Sequence, residues 1–306
     1  MSNSDIFESS FEYPDPEARR RLASLTGIED QKKRLEKGLR LILDPSAIER
    51  WSETHHQQKL PLITHFQARP PLFILAGDVG TGKTALAESI GDSVARSEDI
   101  AVTLHRMSLS SRGSGLVGEM TKLVTAAFAE VAEQARKAKP AKGKARAGHI
   151  LLIDEADALA QSRENNQMHH EDRAGVNALI RGINELAGDK LPAAVIMCTN
   201  RIDAIDPAIQ RRAAEVLSFG RPGSAERHAI ISGGLQGTGI SAQGIKALVE
   251  ATGEVDGRPP FTFSDITQRL LPNIALDAYP DKPITLGRAL AIAQEMQSSP
   301  AFGGAR

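Results

Sequence analysis

Short apolar runs alternate with amphipathic helical segments through the middle of the chain. Five of these runs are long enough to form buried strands, and they predict strands at residues 72–76, 101–107, 149–153, 193–198 and 215–219. The intervening segments carry apolar residues at helical spacing and predict helices near residues 83–95, 120–136, 171–187 and 207–212. Apolar strands separated by helices are typical of a parallel sheet that is covered on both faces. The pattern therefore predicts an α/β fold with a five-stranded parallel sheet flanked by helices.

The pattern changes on both sides of this region. Residues 1–21 are polar and predict a flexible N-terminal arm. Beyond the Gly- and Pro-containing segment 220–224 the apolar residues recur only at helical spacing. We therefore expect three parts: the arm at 1–21, a large α/β domain at 22–222, and a small helical domain at 223–306.

Composition excludes several classes of partner. The 306 residues carry a formal net charge of −1, and aromatic residues make up only 4%, so neither a cationic field nor a stacking platform favours nucleic acid. No apolar stretch reaches the roughly 18 residues that a membrane helix needs. The acidic start does not resemble a secretory signal, and the single cysteine, Cys198, fits a reducing compartment. We expect a soluble cytoplasmic protein.

A glycine-rich segment directly follows the first predicted strand. It matches the pattern G-x-x-x-x-G-K-[ST] of a phosphate loop, between a strand and a helix. Its backbone N–H groups and the helix N-terminus would surround phosphate oxygens. Lys83 would reach the β- and γ-phosphates, and the Thr84 hydroxyl would bind Mg²⁺. The alternative is a glycine-rich turn with an unrelated lysine. The predicted nucleotide-binding residues are Gly77, Asp78, Val79, Gly80, Thr81, Gly82, Lys83 and Thr84.

Two carboxylates follow the third predicted strand, where ligands bind in open α/β sheets. Asp154 would complete the Mg²⁺ site with Thr84, and Glu155 would polarise water for attack on the γ-phosphate. Acidic residues also form ordinary turns at strand ends. Their position about 65 residues after a phosphate loop favours the catalytic interpretation.

Polar residues after the next strand extend this candidate site. Asn200 would lie beside the first strand and orient the attacking water, although a terminal Asn can also be a turn cap. Asp206-Pro207 predicts the start of a short helix that ends in Arg211 and Arg212. These arginines would either balance the helix dipole or act as an arginine finger in a neighbouring subunit's site, with Arg212 preferred.

The order of these motifs resembles the AAA+ ATPases over about residues 22–297. Within that family the chain is similar to the pachytene-checkpoint ATPases that remodel HORMA-domain proteins. Residues 120–128, 176–180, 212–214 and 219–222 carry this closer resemblance. Only 76 residues precede Gly77. In this short N-terminal part the chain resembles a bacterial branch of these ATPases, which is found beside HORMA proteins and cyclic-nucleotide synthases in anti-phage defence.

The resemblance implies a homo-oligomeric ring, usually a hexamer, with ATP between subunits and a helical lid formed by residues 223–306. Leu116 and Val117 would grip a threaded polypeptide in the first pore loop, although the family's usual aromatic residue is absent and a flexible glycine turn is the alternative. A second pore loop would fall near residues 161–171. Gly27 and Ile28 match the adenine-contacting position, with core packing of Ile28 as the alternative.

The function implied is ATP-driven disassembly of HORMA-domain complexes, which would restrain a nucleotidyltransferase-based anti-phage defence. Two alternatives stay open. One is a DNA-handling loader or helicase, supported only by the basic segment 137–146, and the other is an ATP-dependent scaffold that moves nothing. A second sensor arginine is left unassigned, with Arg269 as a weak candidate.

Overall fold

The structure, a computed structural model, describes residues 6–67, 69–108, 119–139, 144–157, 169–255 and 257–301. It contains a six-stranded sheet in the order β1-β3-β4-β5-β2-β6. The parallel pairs β3/β4, β4/β5 and β5/β2 form its centre, and β1 runs antiparallel to β3. The strands are β1 Ser9–Tyr13, β2 Leu72–Gly77, β3 Ala101–Ser108, β4 Ala147–Asp154, β5 Ala193–Thr199 and β6 Glu215–Phe219.

All five predicted strands are present, but the expected total of five parallel strands is wrong. The sixth strand, β1, comes from residues 1–21, which were expected to form a flexible arm. Most of its residues are exposed or partly exposed, so it has no apolar pattern to reveal it. Its pairing with β3, from Ser9 opposite Arg106 to Tyr13 opposite Val102, depends on backbone hydrogen bonds.

The helices of the described residues alternate with the central strands and then dominate the C-terminal part. They are α1 Pro16–Ser24, α2 Glu29–Leu43, α3 Ala47–His56, α4 Ile63–Gln67, α5 Lys83–Glu98, α6 Glu119–Ala138, α7 His169–Gly188, α8 Pro207–Gln210, α9 Ser224–Gly234, α10 Ala242–Ala251, α11 Leu271–Ala278 and α12 Leu286–Glu295. A π-helical turn at Asp265–Leu270 leads into α11.

The chain divides into two compact units. The first contains the residues as far as Ser24, together with Glu29–Ala76 and Thr84–Ser218. The second contains Leu25–Ile28, Gly77–Lys83 and the residues from Phe219 onward. The boundary near Phe219 lies close to the expected end of the α/β domain at residue 222. Sequence patterning did not predict that the phosphate loop and residues 25–28 group with the helical unit.

Each unit has its own apolar core. In the first unit, alternate β2 residues such as Leu72 and Ile74 pack with Phe128 of α6 and Leu179 of α7 on one face of the sheet. The opposite face meets α2, where the ring of Phe73 lies so close to Gly38 that a Cβ there would be 2.5 Å away. The central strands β2, β4 and β5 are buried along nearly their whole length because both faces of the sheet are covered there. In the second unit, α9, α10, α11 and α12 share a separate core.

Candidate nucleotide site

The phosphate loop begins where β2 ends, at Gly77, and continues into the first residue of α5, Lys83. Its backbone has φ values of +154° at Gly77, +74° at Gly80 and +96° at Gly82, which side-chain-bearing residues rarely adopt. A Cβ at Gly77 would also lie 2.0 Å from the Phe219 carbonyl oxygen. Glycine is therefore required at position 77 for two reasons. The backbone has a positive φ, and the Phe219 carbonyl oxygen, a backbone atom that cannot rotate away, occupies the place of a Cβ.

The substitution Gly77→Ala is expected to distort the phosphate loop. Forcing Cβ against a backbone oxygen should cost about 1–3 kcal/mol or more of stability and should displace the loop, so nucleotide binding is lost. Gly220→Ala is the matched control, because a Cβ at Gly220 would have no neighbour within 4 Å. Thermal unfolding and nucleotide titration measure both effects, and equal behaviour of the two variants would contradict this assignment.

Lys83 is held within the curl of the loop. Its Nζ donates to the carbonyl oxygens of Gly77 and Asp78, each at 2.7 Å, and the residue is only 6% exposed. The Thr81 hydroxyl donates to the same Asp78 carbonyl at 2.7 Å. An ammonium prefers an ionised phosphate oxygen to a neutral carbonyl, since charge-assisted hydrogen bonds are stronger. The loop thus holds a positive charge in a position suited to binding a phosphate anion.

Arg221, which was not predicted from the sequence as a site residue, stabilises the phosphate loop. Arg221 donates from Nε to Asp78 Oδ2 at 2.8 Å, and from its two terminal nitrogens to the carbonyls of Pro260 at 2.6 Å and Ser299 at 2.9 Å. Asp78 is thereby joined to two segments of the helical unit. The only sequence signal was Asp78 at the second loop position. A carboxylate there predicts a cationic partner, but the sequence alone does not identify which lysine or arginine it is.

Residues 262–265 form a second support for the loop. The Ser264 N–H donates to the Gly80 carbonyl at 3.1 Å, and a Cβ at Gly80 would lie 2.7 Å from Thr262 Oγ1. Burial acts to raise the pKa of Asp265, but hydrogen bonds from Thr262 and Ser299 outweigh it and hold that pKa below its ordinary value. The Arg269 side chain donates to Asp265 at 2.9 Å. Arg269, the weak candidate for a second sensor, therefore forms an ion pair within its own helical segment.

Gly27 and Ile28 lie beside the loop within the second unit. Gly27 has a φ of +76°, and a Cβ there would be 2.6 Å from Glu226 and 3.1 Å from the Phe263 ring. Ile28 is 3% exposed, and its Cδ1 lies 3.9 Å from where a Gly82 Cβ would be. Their nearness to the loop fits an adenine contact. That role stays a prediction, since the burial of Ile28 also fits core packing.

Asp154 and Thr84 meet at the carboxyl end of the sheet. The Thr84 hydroxyl donates to Asp154 Oδ1 at 3.2 Å, and Asp154 is 7% exposed. The second carboxylate oxygen, Oδ2, accepts from Arg106 at 3.1 Å. A hydroxyl and a carboxylate are hard oxygen donors of the kind that Mg²⁺ binds together with water and substrate phosphates. The residues present therefore fit a magnesium site.

Glu155 has an unusual backbone for a side-chain-bearing residue. Its φ is +52°, in the left-handed region that costs about 1–2 kcal/mol, and its N–H donates to Asp154 Oδ1 at 3.0 Å. The side chain is exposed, whereas the neighbours Asp154 and Ala156 are buried. Strained residues of this type cluster at functional sites. The turn separates the two carboxylates, with one turned inward and the other open to solvent.

Asn200 follows β5 by one residue. In the parallel pairing of β2 with β5, Ala76 lies opposite Thr199, so Asn200 lies just beyond the end of this pairing, at the carboxyl end of both strands. The β5 strand also lies between β2 and β4, which ends at Asp154. The expected nearness of Asn200 to the first strand thus agrees with the register. Its action on water is a prediction.

The short helix expected before the two candidate arginines is present. Asp206 accepts from the Ala208 N–H at 2.7 Å and Pro207 occupies the first turn, but α8 ends at Gln210 rather than Arg212. Arg211 donates to the Pro207 carbonyl at 3.2 Å and Arg212 to the Ala208 carbonyl at 3.0 Å. Among the described residues neither arginine is bonded to Thr84 or Asp154 of its own chain.

Several expectations lie outside the described residues. They are the pore residues Leu116 and Val117, most of the second pore loop, and residues 140–143 of the basic segment. His169 and His170 begin α7. In the ranges that the structure describes, every helix is too short or too polar to cross a membrane.

Comparison with known proteins places this site in a family. Residues 73–221 match the family model described as ATPase family associated with various cellular activities (AAA). The chain is 54% identical to CD-NTase-associated protein 6 of Escherichia coli strain MS 115-1, over 97% of this chain and 96% of the relative.

Solved structures give a similar result. A chain in the structure of an E. coli MS115-1 HORMA:CdnC:Trip13 complex is 52% identical, with a TM-score of 0.92 and 99% of both chains covered. Rhizobiales Trip13 is 47% identical, with a TM-score of 0.75 over 96% of this chain and 99% of that one. The similarity extends over the whole chain and is not confined to the phosphate loop.

Proposed function

This chain belongs to the AAA family of ATPases, and from that premise we propose that it uses ATP and Mg²⁺ to remodel a HORMA-domain protein. The observation that carries the proposal is the whole-chain similarity to a chain of a HORMA:CdnC:Trip13 complex. The remodelled protein is then a HORMA-domain partner together with its associated complex. Its disassembly would restrain a nucleotidyltransferase-based anti-phage defence, and the work would take place in the cytoplasm, where ATP is available.

Binding of the nucleotide falls to the phosphate loop and its neighbours. The N–H groups of residues 77–84 and the Lys83 ammonium bind the phosphates, and Gly27 with Ile28 contacts the adenine. Thr84 and Asp154 would hold Mg²⁺, which would supply charge neutralisation of the bound phosphates. The ion pair between Arg221 and Asp78 keeps the loop in shape for this task.

Hydrolysis needs groups that act on water and on the developing charge. Glu155, exposed at the end of β4, accepts a proton from the attacking water, and Asn200 orients that water. Arg212 supplies a guanidinium to the γ-phosphate bound by a neighbouring copy, with Arg211 beside it as the second candidate. ATP is therefore bound between two subunits of a ring, which we take to be a hexamer. Leu116 and Val117 grip the partner polypeptide and pull on it during the ATPase cycle.

The test is ATP-dependent dissociation of a purified HORMA-domain protein from its complex with CdnC. Adding this chain and ATP should release the HORMA protein within minutes, as followed by loss of energy transfer between fluorophores on the two partners. ADP, and ATP with the Glu155→Gln variant, are the controls that should release nothing. If the complex persists while ATP is hydrolysed at a normal rate, the HORMA assignment is wrong.

A further inference from the structure

Arg106 of β3 connects two buried carboxylates that the sequence places far apart. One terminal nitrogen donates to Asp154 Oδ2 at 3.1 Å, and the other donates to Glu88 Oε1 at 2.5 Å. The Nε lies 3.5 Å from Glu8 Oε2. Since a guanidinium is planar and rigid, the bond to Glu88 fixes the direction in which Arg106 faces Asp154.

Asp154 therefore has both of its oxygens fixed. Arg106 takes Oδ2, and Thr84 donates to Oδ1. Without Arg106 the carboxylate could turn about its Cβ–Cγ bond and leave the Thr84 hydroxyl. A partner that orients a metal-binding group in this way tunes metal affinity although it never touches the metal.

Glu88 holds Arg106 in turn, and the N-terminal segment holds Glu88. Glu88 is 7% exposed, and its second oxygen accepts from Arg21 of α1 at 2.8 Å. Tyr13, at the end of β1, donates its hydroxyl to the Glu88 carbonyl, and its ring packs on Gly91, where a Cβ would lie 2.4 Å away. The β1–α1 segment is thus attached to α5 at the residue that anchors Arg106.

We propose that Arg106 is a positioning residue that orients Asp154 for Mg²⁺, and that Arg21 and Glu88 keep it in place from the N-terminal segment. This inference rests on the proposed use of ATP and Mg²⁺ and names a residue that the motifs do not contain. It couples the β1–α1 segment to the metal-binding carboxylate through Glu88 and Arg106.

The experiment measures how much Mg²⁺ strengthens binding of the fluorescent analogue mant-AMPPNP, as the ratio of Kd in EDTA to Kd in Mg²⁺. Arg106→Gln should lower this ratio about tenfold, the usual lower limit for loss of a metal-orienting partner, with Kd in EDTA nearly unchanged. Arg21→Gln should lower it by a smaller factor, because Glu88 keeps its bond to Arg106. Compared with Arg106→Gln, Arg106→Lys should restore thermal stability more fully than it restores the Kd ratio. Lysine restores the positive charge but not the planar guanidinium that bonds Glu88 and Asp154 at the same time.

Arg96→Gln is the matched control. Arg96 also lies on α5 and pairs with a buried carboxylate, Asp92 at 2.9 Å, which itself accepts from the N-terminal segment at Asp15. Arg96 has no bond to Asp154, so the Kd ratio of the Arg96→Gln variant should equal that of the unmodified protein. Arg21 is half-exposed, which makes Arg21→Gln informative even if Arg106→Gln does not fold.

Three results would overturn the inference. They are an unchanged ratio in Arg106→Gln or in Arg21→Gln, an equal fall in Arg96→Gln, and a loss of affinity of the same size with and without Mg²⁺. If the unmodified protein binds the analogue but Mg²⁺ never strengthens binding, the proposed use of Mg²⁺ fails instead, and this outcome is distinguishable from the others.

Discussion

Glu155→Gln should lower ATP turnover by roughly 10²–10⁴-fold while nucleotide affinity stays close to normal. Glutamine has nearly the same shape as glutamate but cannot take a proton from the attacking water. The side chain is exposed, and its N–H bond to Asp154 comes from the backbone, so the substitution leaves the Thr84–Asp154 contact in place. Steady-state phosphate release and nucleotide titration measure the two quantities on the same preparation.

The control for this variant is Glu185→Gln on α7, which removes an exposed carboxylate paired with Arg136 and should hydrolyse ATP normally. The Glu155→Gln protein should also retain its HORMA partner in the presence of ATP, because binding is no longer followed by hydrolysis. Turnover at the unmodified rate would contradict the role of Glu155. Loss of nucleotide binding would mean that the carboxylate supports the site rather than acts on water.

Arg212→Ala is expected to lower turnover by about 10³-fold or more, the range of an arginine finger, with nucleotide affinity largely retained. Of the two arginines, an effect of this size is expected only for the one whose guanidinium contacts the γ-phosphate bound by a neighbouring copy. The change also removes a bond to the Ala208 carbonyl, which is a local and small loss of stability.

Arg211→Ala is the adjacent comparison, since Arg211 has the same charge and bonds the same short helix. It should reduce turnover far less. Measuring kcat and Kd for both variants, together with the size of the assembly in ATP, separates catalysis from ring formation. A strong loss in Arg211→Ala with normal turnover in Arg212→Ala would reverse the assignment.

The local pattern of the chain was sufficient to predict the central strands and the phosphate loop. Buried parallel strands are continuous apolar runs, and the loop needs glycines and a lysine at fixed spacing, so both leave a signal within a few residues. The short helix after Asp206-Pro207 was predicted for the same reason, and Asp206 caps it as expected.

Contacts between distant residues were not predictable in this way. Strand β1 is an exposed edge strand whose stability comes from pairing with β3 and from Tyr13, neither of which produces an apolar run. Arg221 and Asp78 are separated by 143 positions, and Arg106 and Asp154 by 48. A chain with many arginines and carboxylates allows many such pairs, and only the fold selects among them.

The most direct measurement of a site shared between two copies is ATP hydrolysis by mixed variants. Lys83→Ala removes phosphate binding but keeps Arg212, whereas Arg212→Ala keeps the phosphate loop, so each variant alone should be nearly inactive. Random mixing in equal amounts places an intact loop beside an intact Arg212 at roughly a quarter of the interfaces of a closed ring. If the site is shared between copies, we expect recovery of up to that share of the unmodified rate after mixing. Mixed assemblies of normal size that remain inactive at every ratio would contradict it.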